Sequence, residues 1–215
     1  VLYSLRHQQV QPSHATLLKL LKAIEAEQSI EAFEEIMGED PLLAYRFMVY
    51  TNSASLGLRT GIDSLRRGLV MMGYGSIKRW LSDQLPHAST EVDLRPVRES
   101  MVLRARLMQH LLESGLQKDL RSEVYLCGLF SQLDDLLREP LSNILHRIPL
   151  SERVHEAIIG HTGPYAPSLE MACALETSDA SAIRQLCETH EMDQEEINRA
   201  LLRVLSSLEV TRPGH

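Results

Sequence analysis

The 215-residue sequence is short of cysteines and has no long apolar run. Its three cysteines, Cys127, Cys173 and Cys187, form no close pair, and Cys127 lies within an apolar segment. This pattern predicts reduced thiols and a cytoplasmic protein. No segment reaches the roughly 20 apolar residues needed to cross a bilayer, and no signal peptide opens the sequence. Both absences predict that the chain has no membrane partner.

The sequence also lacks an excess of basic residues over acidic ones, and catalytic motifs are scarce. The net charge of −7 argues against a nucleic-acid partner. No Gly-x-Ser-x-Gly or comparable nucleophile motif is present. An initiator Met is absent too. We therefore expect residues 1–12 to be a lead-in segment or a linker from a preceding domain.

Strand signals are nearly absent, whereas helical periodicity and helix caps recur from Ser13 to Leu208. The sequence therefore predicts an all-α fold, a single compact bundle of roughly ten helices over residues 13–211, with at most a lead-in strand. No period of 20 to 50 residues repeats, which excludes a solenoid.

The most apolar stretch is the centre of the segment Ser122–Leu137. Ser122 is a suitable N-cap, and Val124–Phe130 is apolar on every face of a helix. Such a helix is normally enclosed by other helices. Gly128 costs a helix about 1 kcal/mol relative to Ala, so we expect another backbone to pass close to it. The buried helix leads into a polar cluster that begins at Ser131.

A second buried helix is predicted over Leu42–Tyr50. Asp40-Pro41 is a strong helix start, because an N-cap is followed by Pro at the first helical position. Further on, Asp63 is the predicted cap of a helix that ends at Gly73, and Ser76 is the predicted start of the next. The alternative for residues 72–76, a phosphate loop, lacks the full glycine spacing and a following Lys.

Four stretches carry a family likeness. The segments Glu39–Gly57 (EDPLLAYRFMVYTNSASLG) and Gly61–Leu81 (GIDSLRRGLVMMGYGSIKRWL) resemble the opening of HDOD domains. Cys127–Leu137 (CGLFSQLDDLL) is similar to the segment that reads Ala-Gly-Leu-Leu-His-Asp in HD phosphohydrolases. The tail Ser178–Leu208 resembles the last helices of proteins in which HDOD follows an EAL domain. The likeness implies an HD-like helical bundle.

The departure from the HD pattern is informative. Ser131 and Gln132 stand at the His-Asp positions, and no His in the sequence is followed by Asp. Neither Ser nor Gln is a usual metal ligand. The resemblance therefore implies degenerate HD positions, no catalytic residue and no metal or other cofactor. It implies a signalling module that binds a protein partner or acts in cis on a cyclic di-GMP-related EAL domain.

The alternative is a metal-dependent HD-type phosphohydrolase with an atypical site. Asp134 and Asp135 are the candidates for displaced ligands, although a helix end explains them equally. His155 and His161 are six residues apart, which is about 240° around a helix, so they cannot share a face if both are helical. His146 falls on another predicted helix. We expect structural or surface roles for these residues.

Asn52 and Ser53 form a candidate binding groove where the second buried helix ends. The alternative is a capping role, since Asn tolerates left-handed backbone and ends the preceding helix while Ser caps the following segment. The sequence leaves both interpretations open.

Overall fold

The computed structural model describes residues 10–53, 61–90, 95–112, 118–177 and 179–210, except the side chains of residues 118, 119 and 208–210. These ranges contain twelve α-helices: α1 (His14–Glu25), α2 (Ile30–Gly38), α3 (Pro41–Thr51), α4 (Leu65–Gln84), α5 (Arg95–Leu111), α6 (Lys118–Phe130), α7 (Leu133–Leu137), α8 (Leu141–Leu145), α9 (Glu152–His155), α10 (Ala166–Thr177), α11 (Ala180–His190) and α12 (Gln194–Val210). The β structure within them is an isolated bridge between Ser13 and Ser89. The predicted all-α class is confirmed.

The helices group into two compact units. The first consists of Val1–Glu99 and Gln132–Leu150, and the second of Ser100–Ser131 and Ser151–His215. Each unit is built from two separate stretches of sequence, and α5 contributes residues to both. The domain limits 13–211 stay a prediction. Within the described ranges, no helix has both the length and the apolar character required to span a membrane.

In the first unit, α3 is buried along most of its length, as its apolar sequence predicts. Asp40 is the N-cap, and its Oδ1 accepts hydrogen bonds from the N–H groups of Leu42 and Leu43 at 3.0 and 3.1 Å. Phe47 is fully buried and packs edge-on against Trp80 of α4, with ring centroids 5.4 Å apart. The predicted second buried helix is therefore confirmed.

Helix α4 bends at Gly73, whose φ of +69° interrupts the helical backbone. The predicted break at this glycine is confirmed. Two predictions nearby are wrong. The helix resumes directly after Gly73 rather than at Ser76, and its N-cap is Ser64 rather than Asp63, because the Ser64 hydroxyl accepts the N–H of Arg67.

In the second unit, α6 contains the predicted apolar run, and Val124 and Phe130 are fully buried. Its limits differ from the prediction. The helix begins at Lys118, so Ser122 lies inside it and is not its N-cap. A Cβ on Gly128 would lie 2.6 Å from the Cα of Ala105 in α5. The expected close backbone is therefore confirmed, and it belongs to α5.

Candidate functional site

Ser131 and Gln132, which the resemblance aligns with the HD positions, lie in a turn and not on a helix. Helix α6 ends at Phe130 and α7 begins at Leu133, so Ser131 and Gln132 join the two. Gln132 adopts φ −129° and ψ 23°, which is not helical backbone, so the buried helix ends just before these two residues. Ser131 belongs to the second unit and Gln132 to the first.

The Ser131 hydroxyl is held by groups of its own unit. It donates to the carbonyl oxygen of Gly128 at 2.8 Å and accepts a hydrogen bond from Nη1 of Arg104 at 3.0 Å. Arg104, on α5, is only 6% exposed. Its Nε and Nη2 bind the two carboxylate oxygens of Glu176, on α10, at 2.7 and 2.6 Å. We call Arg104, Ser131 and Glu176 the Arg104 cluster.

The Arg104 cluster does not fit a metal ion of the HD type. A hydroxyl lacks the lone-pair strength of an imidazole, and both oxygens of Glu176 already serve the guanidinium in a bidentate pair. The Arg104 charge also repels a cation beside Ser131. The hydrogen bonds and the ion pair of the cluster instead hold α5, α6 and α10 to one another.

Gln132 contributes a neutral amide. Its backbone carbonyl accepts the N–H of Asp135 at 3.1 Å, which closes the first turn of α7. Its Oε1 is buried and has no hydrogen-bond partner among the described residues. Burying such an oxygen without a partner costs stability. Because the amide is neutral, it does not supply the negative charge that a carboxylate brings to an HD site.

The candidate ligands of the alternative interpretation are spread over several elements. Asp134 and Asp135 lie in the first turn of α7 with exposed side chains, and His146 is the exposed residue that ends α8. His155 is the last residue of α9, and His161 follows a single π turn with φ +52°. Within the part of the chain that the structure describes, no three His, Cys, Asp or Glu side chains lie close enough together to hold a metal ion.

Asn52 ends α3 with a right-handed backbone, φ −98°. Its Nδ2 donates to the carbonyl oxygens of Met48 and Ile62 at 2.8 and 2.9 Å, and its Oδ1 accepts the N–H of Ile62 at 2.7 Å. The bond to Met48 caps the end of α3, and the two bonds with Ile62 tie that end to the segment before α4. The binding groove at Asn52 and Ser53 stays a prediction.

A second polar cluster in the second unit was missed at the sequence level. Glu123 of α6 accepts hydrogen bonds from Ser151 Oγ at 2.8 Å and from Nε and Nη2 of Arg153 at 3.0 and 3.1 Å. Burial raises the pKa of Glu123, but bonds from Arg153, Ser151 and Tyr165 outweigh it and lower that pKa overall. Burial and Glu123 raise the pKa of Tyr165 to about 12. No spacing in the sequence links Glu123 with the other three residues, because α6, the start of α9 and the turn before α10 are far apart in the sequence.

Most of the sequence matches a known family. The family model described as "HDOD domain" matches residues 11–140, which is more than half of the chain. The chain belongs to the HDOD family. The resemblance of its opening helices and of the Cys127–Leu137 segment to HDOD domains is therefore confirmed.

Two curated proteins are similar over most of this HDOD chain. The uncharacterized protein YuxH of Bacillus subtilis (strain 168) is 26% identical over 191 residues, which cover 87% of this chain and 46% of YuxH. The cyclic di-GMP phosphodiesterase CdgJ of Vibrio cholerae serotype O1 is 23% identical over 199 residues, which cover 92% of this chain and 46% of CdgJ. The chain thus spans about half the length of the curated relatives it matches.

A solved structure shares the fold. The MmoQ response regulator from Methylococcus capsulatus (strain Bath) superposes with a TM-score of 0.70 at 14% sequence identity, covering 91% of this chain and 99% of that one. At this identity the likeness concerns the fold alone. Together, the family match and the similarity to a cyclic di-GMP phosphodiesterase associate the chain with HDOD signalling proteins.

Proposed function

We propose that this chain is a non-catalytic HDOD module that signals by binding a protein partner. The observation that carries the proposal is the Arg104 cluster. Ser131 stands at the position of the HD histidine, and a buried guanidinium donates to its hydroxyl at 3.0 Å. A cation paired with Glu176 lies beside the residue that a metal ion would need as a ligand.

The chemistry of HD hydrolases explains why this arrangement supports a site without hydrolytic activity. Those enzymes use imidazole and carboxylate ligands to hold metal ions and to activate water. In this chain the hydroxyl of Ser131 and the amide of Gln132 are neutral. Glu176 is neutralised by Arg104, which also opposes a second cation. The cluster therefore joins helices, and we assign the module a binding function.

We further propose that the partner is an EAL domain of the same polypeptide. The tail over Ser178–Leu208 resembles EAL-linked HDOD proteins, and both curated relatives are about twice as long as the part that this chain matches. One of them is named as a cyclic di-GMP phosphodiesterase. In this proposal the chain is the C-terminal part of a longer protein, and it regulates or recruits partners to a domain before Val1.

The first experiment tests the absence of catalysis. The 215-residue chain is loaded with divalent metals, dialysed, analysed for metal content and assayed with a general phosphodiesterase substrate and with cyclic di-GMP. We expect neither stoichiometric metal nor turnover. Stoichiometric metal that is lost in Asp134→Ala or His161→Ala, with activity lost in parallel, would instead establish a phosphohydrolase with an atypical site. Asp63→Ala is the control for removing an exposed carboxylate from a helix start.

The second experiment tests coupling in cis. The rate of cyclic di-GMP hydrolysis is compared between the longer protein and the same protein truncated before Pro12. We expect the truncation to change the rate, and we expect the isolated chain added in trans to restore part of the difference. Equal rates with and without the chain would contradict regulation in cis and would favour a separate protein partner.

A further inference from the structure

A largely buried charge cluster in the first unit holds the segment that leads into α1. Asp40 lies at the start of α3, Arg46 in the middle of that helix and Arg98 in the first turn of α5. The side chains of Asp40 and Arg98 are 1% and 11% exposed, and the charges of both act on Arg46. Two guanidinium groups accompany one carboxylate, so the cluster carries an excess of positive charge. We call these three residues the entry clamp, because they hold residues 10–13.

The two arginines of the entry clamp donate to oxygen atoms of this segment. Nη1 of Arg46 donates to Oε1 of Gln11 at 2.8 Å, and its Nη2 donates to the carbonyl oxygen of Val10 at 3.0 Å. Arg98 donates to the carbonyl oxygen of Gln11. Burial lowers the pKa of Arg46, because a charge away from water is costly, and such acceptors offset part of that cost. Apart from this segment, the acceptor of Arg46 among the described residues is Oε1 of Gln84, at 3.4 Å.

Asp40 joins the same segment to two helices. Its Oδ2 accepts the N–H of Ser13 at 2.5 Å and Nη1 of Arg98 at 2.9 Å, while its Oδ1 caps the start of α3. Ser13 is also the N-cap of α1. The N–H of Ser89, which follows α4, donates to the carbonyl oxygen of Pro12 at 2.8 Å. A displacement of this segment therefore breaks contacts with α3, with α5 and with the residues after α4.

We propose that the entry clamp couples the HDOD module to the domain that precedes it in the longer protein. Residues 10–13 are then the route of the coupling in cis proposed above, on which this assignment rests. A flexible linker behaves as a random coil and transmits little of one domain's movement to the other. A segment hydrogen-bonded to largely buried charges instead has two discrete states, held and released, and a displacement of the preceding domain shifts the balance between them.

The first measurement is amide hydrogen exchange of the 215-residue chain, followed by NMR. Arg46→Met removes two donors to the segment, but it keeps an aliphatic side chain on α3 and leaves the cap formed by Asp40 in place. We expect the N–H groups of Ser13 and Ser89 to exchange about tenfold faster in this variant, as for the loss of one charge-assisted hydrogen bond. Arg46→Lys keeps the charge without the fork of donors, so its increase should be smaller.

Arg79→Met is the matched control, because it removes an exposed arginine from α4 in the same unit, outside the entry clamp. Exchange at Ser13 and Ser89 should stay unchanged in this variant. Gln11→Ala removes one acceptor from the segment's own side, so it tests the clamp even if Arg46→Met destabilises α3. Exchange that is unchanged in both Arg46→Met and Gln11→Ala would overturn the proposal.

The second measurement is the rate of cyclic di-GMP hydrolysis by the longer protein. We expect Arg46→Met and Gln11→Ala to move the rate toward that of the protein truncated before Pro12, while Arg79→Met leaves it unchanged. If truncation changes the rate but neither clamp variant does, coupling in cis stands and the entry clamp is not its route. If truncation itself changes nothing, coupling in cis fails, and the assignment of the entry clamp fails with it.

Discussion

Two arginines of α5 form buried ion pairs of different origin. Arg98 pairs with Asp40 in the first unit, where Nη1 and Oδ2 are 2.9 Å apart. Arg104 pairs with Glu176 in the second unit through two bonds of 2.7 and 2.6 Å. The two arginine side chains are 11% and 8% exposed. The chemistry of the pairs is the same, but their carboxylates are positioned by different means.

Asp40 is positioned by the local rules of helix capping. Its Oδ1 accepts two N–H groups at the start of α3, and its Oδ2 accepts the N–H of Ser13 as well as Arg98. Glu176 is in the last turn of α10, where the helix dipole disfavours a negative charge. Arg104 offsets that cost. A carboxylate at a helix start is thus placed by its neighbours in sequence, whereas one at a helix end needs a distant partner.

The largest effect should come from Asp40→Ala. This change removes the N-cap of α3 and leaves the Arg98 guanidinium buried without its carboxylate, so we expect a loss of about 4 kcal/mol in the free energy of unfolding. Urea denaturation measures this loss of stability. Asp40→Asn keeps a capping oxygen and should lose less. A loss below about 1 kcal/mol for the alanine variant would contradict the capping role.

Glu176→Ala should cost somewhat less, about 3 kcal/mol, because the Glu176 side chain is 20% exposed and water can partly solvate the unpaired Arg104. The double variant Arg104→Met with Glu176→Met should recover a large part of that loss, since apolar replacement of both partners removes the uncompensated charge. The comparison is made by urea denaturation in a double-mutant cycle whose single variants are Arg104→Met and Glu176→Met. A double variant as unstable as the sum of the single ones would show that the two residues act independently.

Gly128→Ala should destabilise by about 2 kcal/mol, since the new Cβ would meet the backbone of Ala105 at 2.6 Å. It should also disturb the Arg104 cluster, because the carbonyl oxygen of Gly128 accepts a hydrogen bond from the Ser131 hydroxyl. Gly75→Ala is the control in the first unit, where an added Cβ meets nothing within 4 Å. That variant should be neutral or slightly stabilising. Thermal unfolding of both distinguishes crowding at α6 from the general effect of replacing glycine.

The smallest effect concerns the pH dependence of the free energy of unfolding, to which Cys127 of α6 contributes. Burial raises the pKa of the Cys127 thiol to about 12, well above its value of about 8.5 in an unfolded chain. Between these values the folded chain holds more protons than the unfolded one, so its stability falls as the pH rises from about 9 to 12. Cys127→Ala should reduce this slope, as measured by urea denaturation at several pH values. An unchanged slope would assign the dependence to Tyr165, whose pKa is raised similarly.

The sequence by itself determined the helical class and the two most buried helices. Helix caps and apolar runs are local signals, because a helix satisfies its backbone hydrogen bonds among residues close in sequence. Asp40-Pro41 marked the start of α3, and Gly128 marked a close approach of another backbone. Local signals were weaker at helix limits: Ser122 is a suitable cap by type, yet α6 begins four residues earlier.

Tertiary structure alone decided the surroundings of Ser131. The family resemblance predicts that Ser131 and Gln132 stand where HD proteins have a His-Asp pair, but the sequence did not show which side chains lie beside them. Arg104 and Glu176 are 72 residues apart and lie on separate helices, so no periodicity or spacing connects them. The same holds for Glu123 and Arg153, which α6 and α9 bring together. A helix orders only the residues within a turn or two, and charges from distant segments meet only when the helices pack.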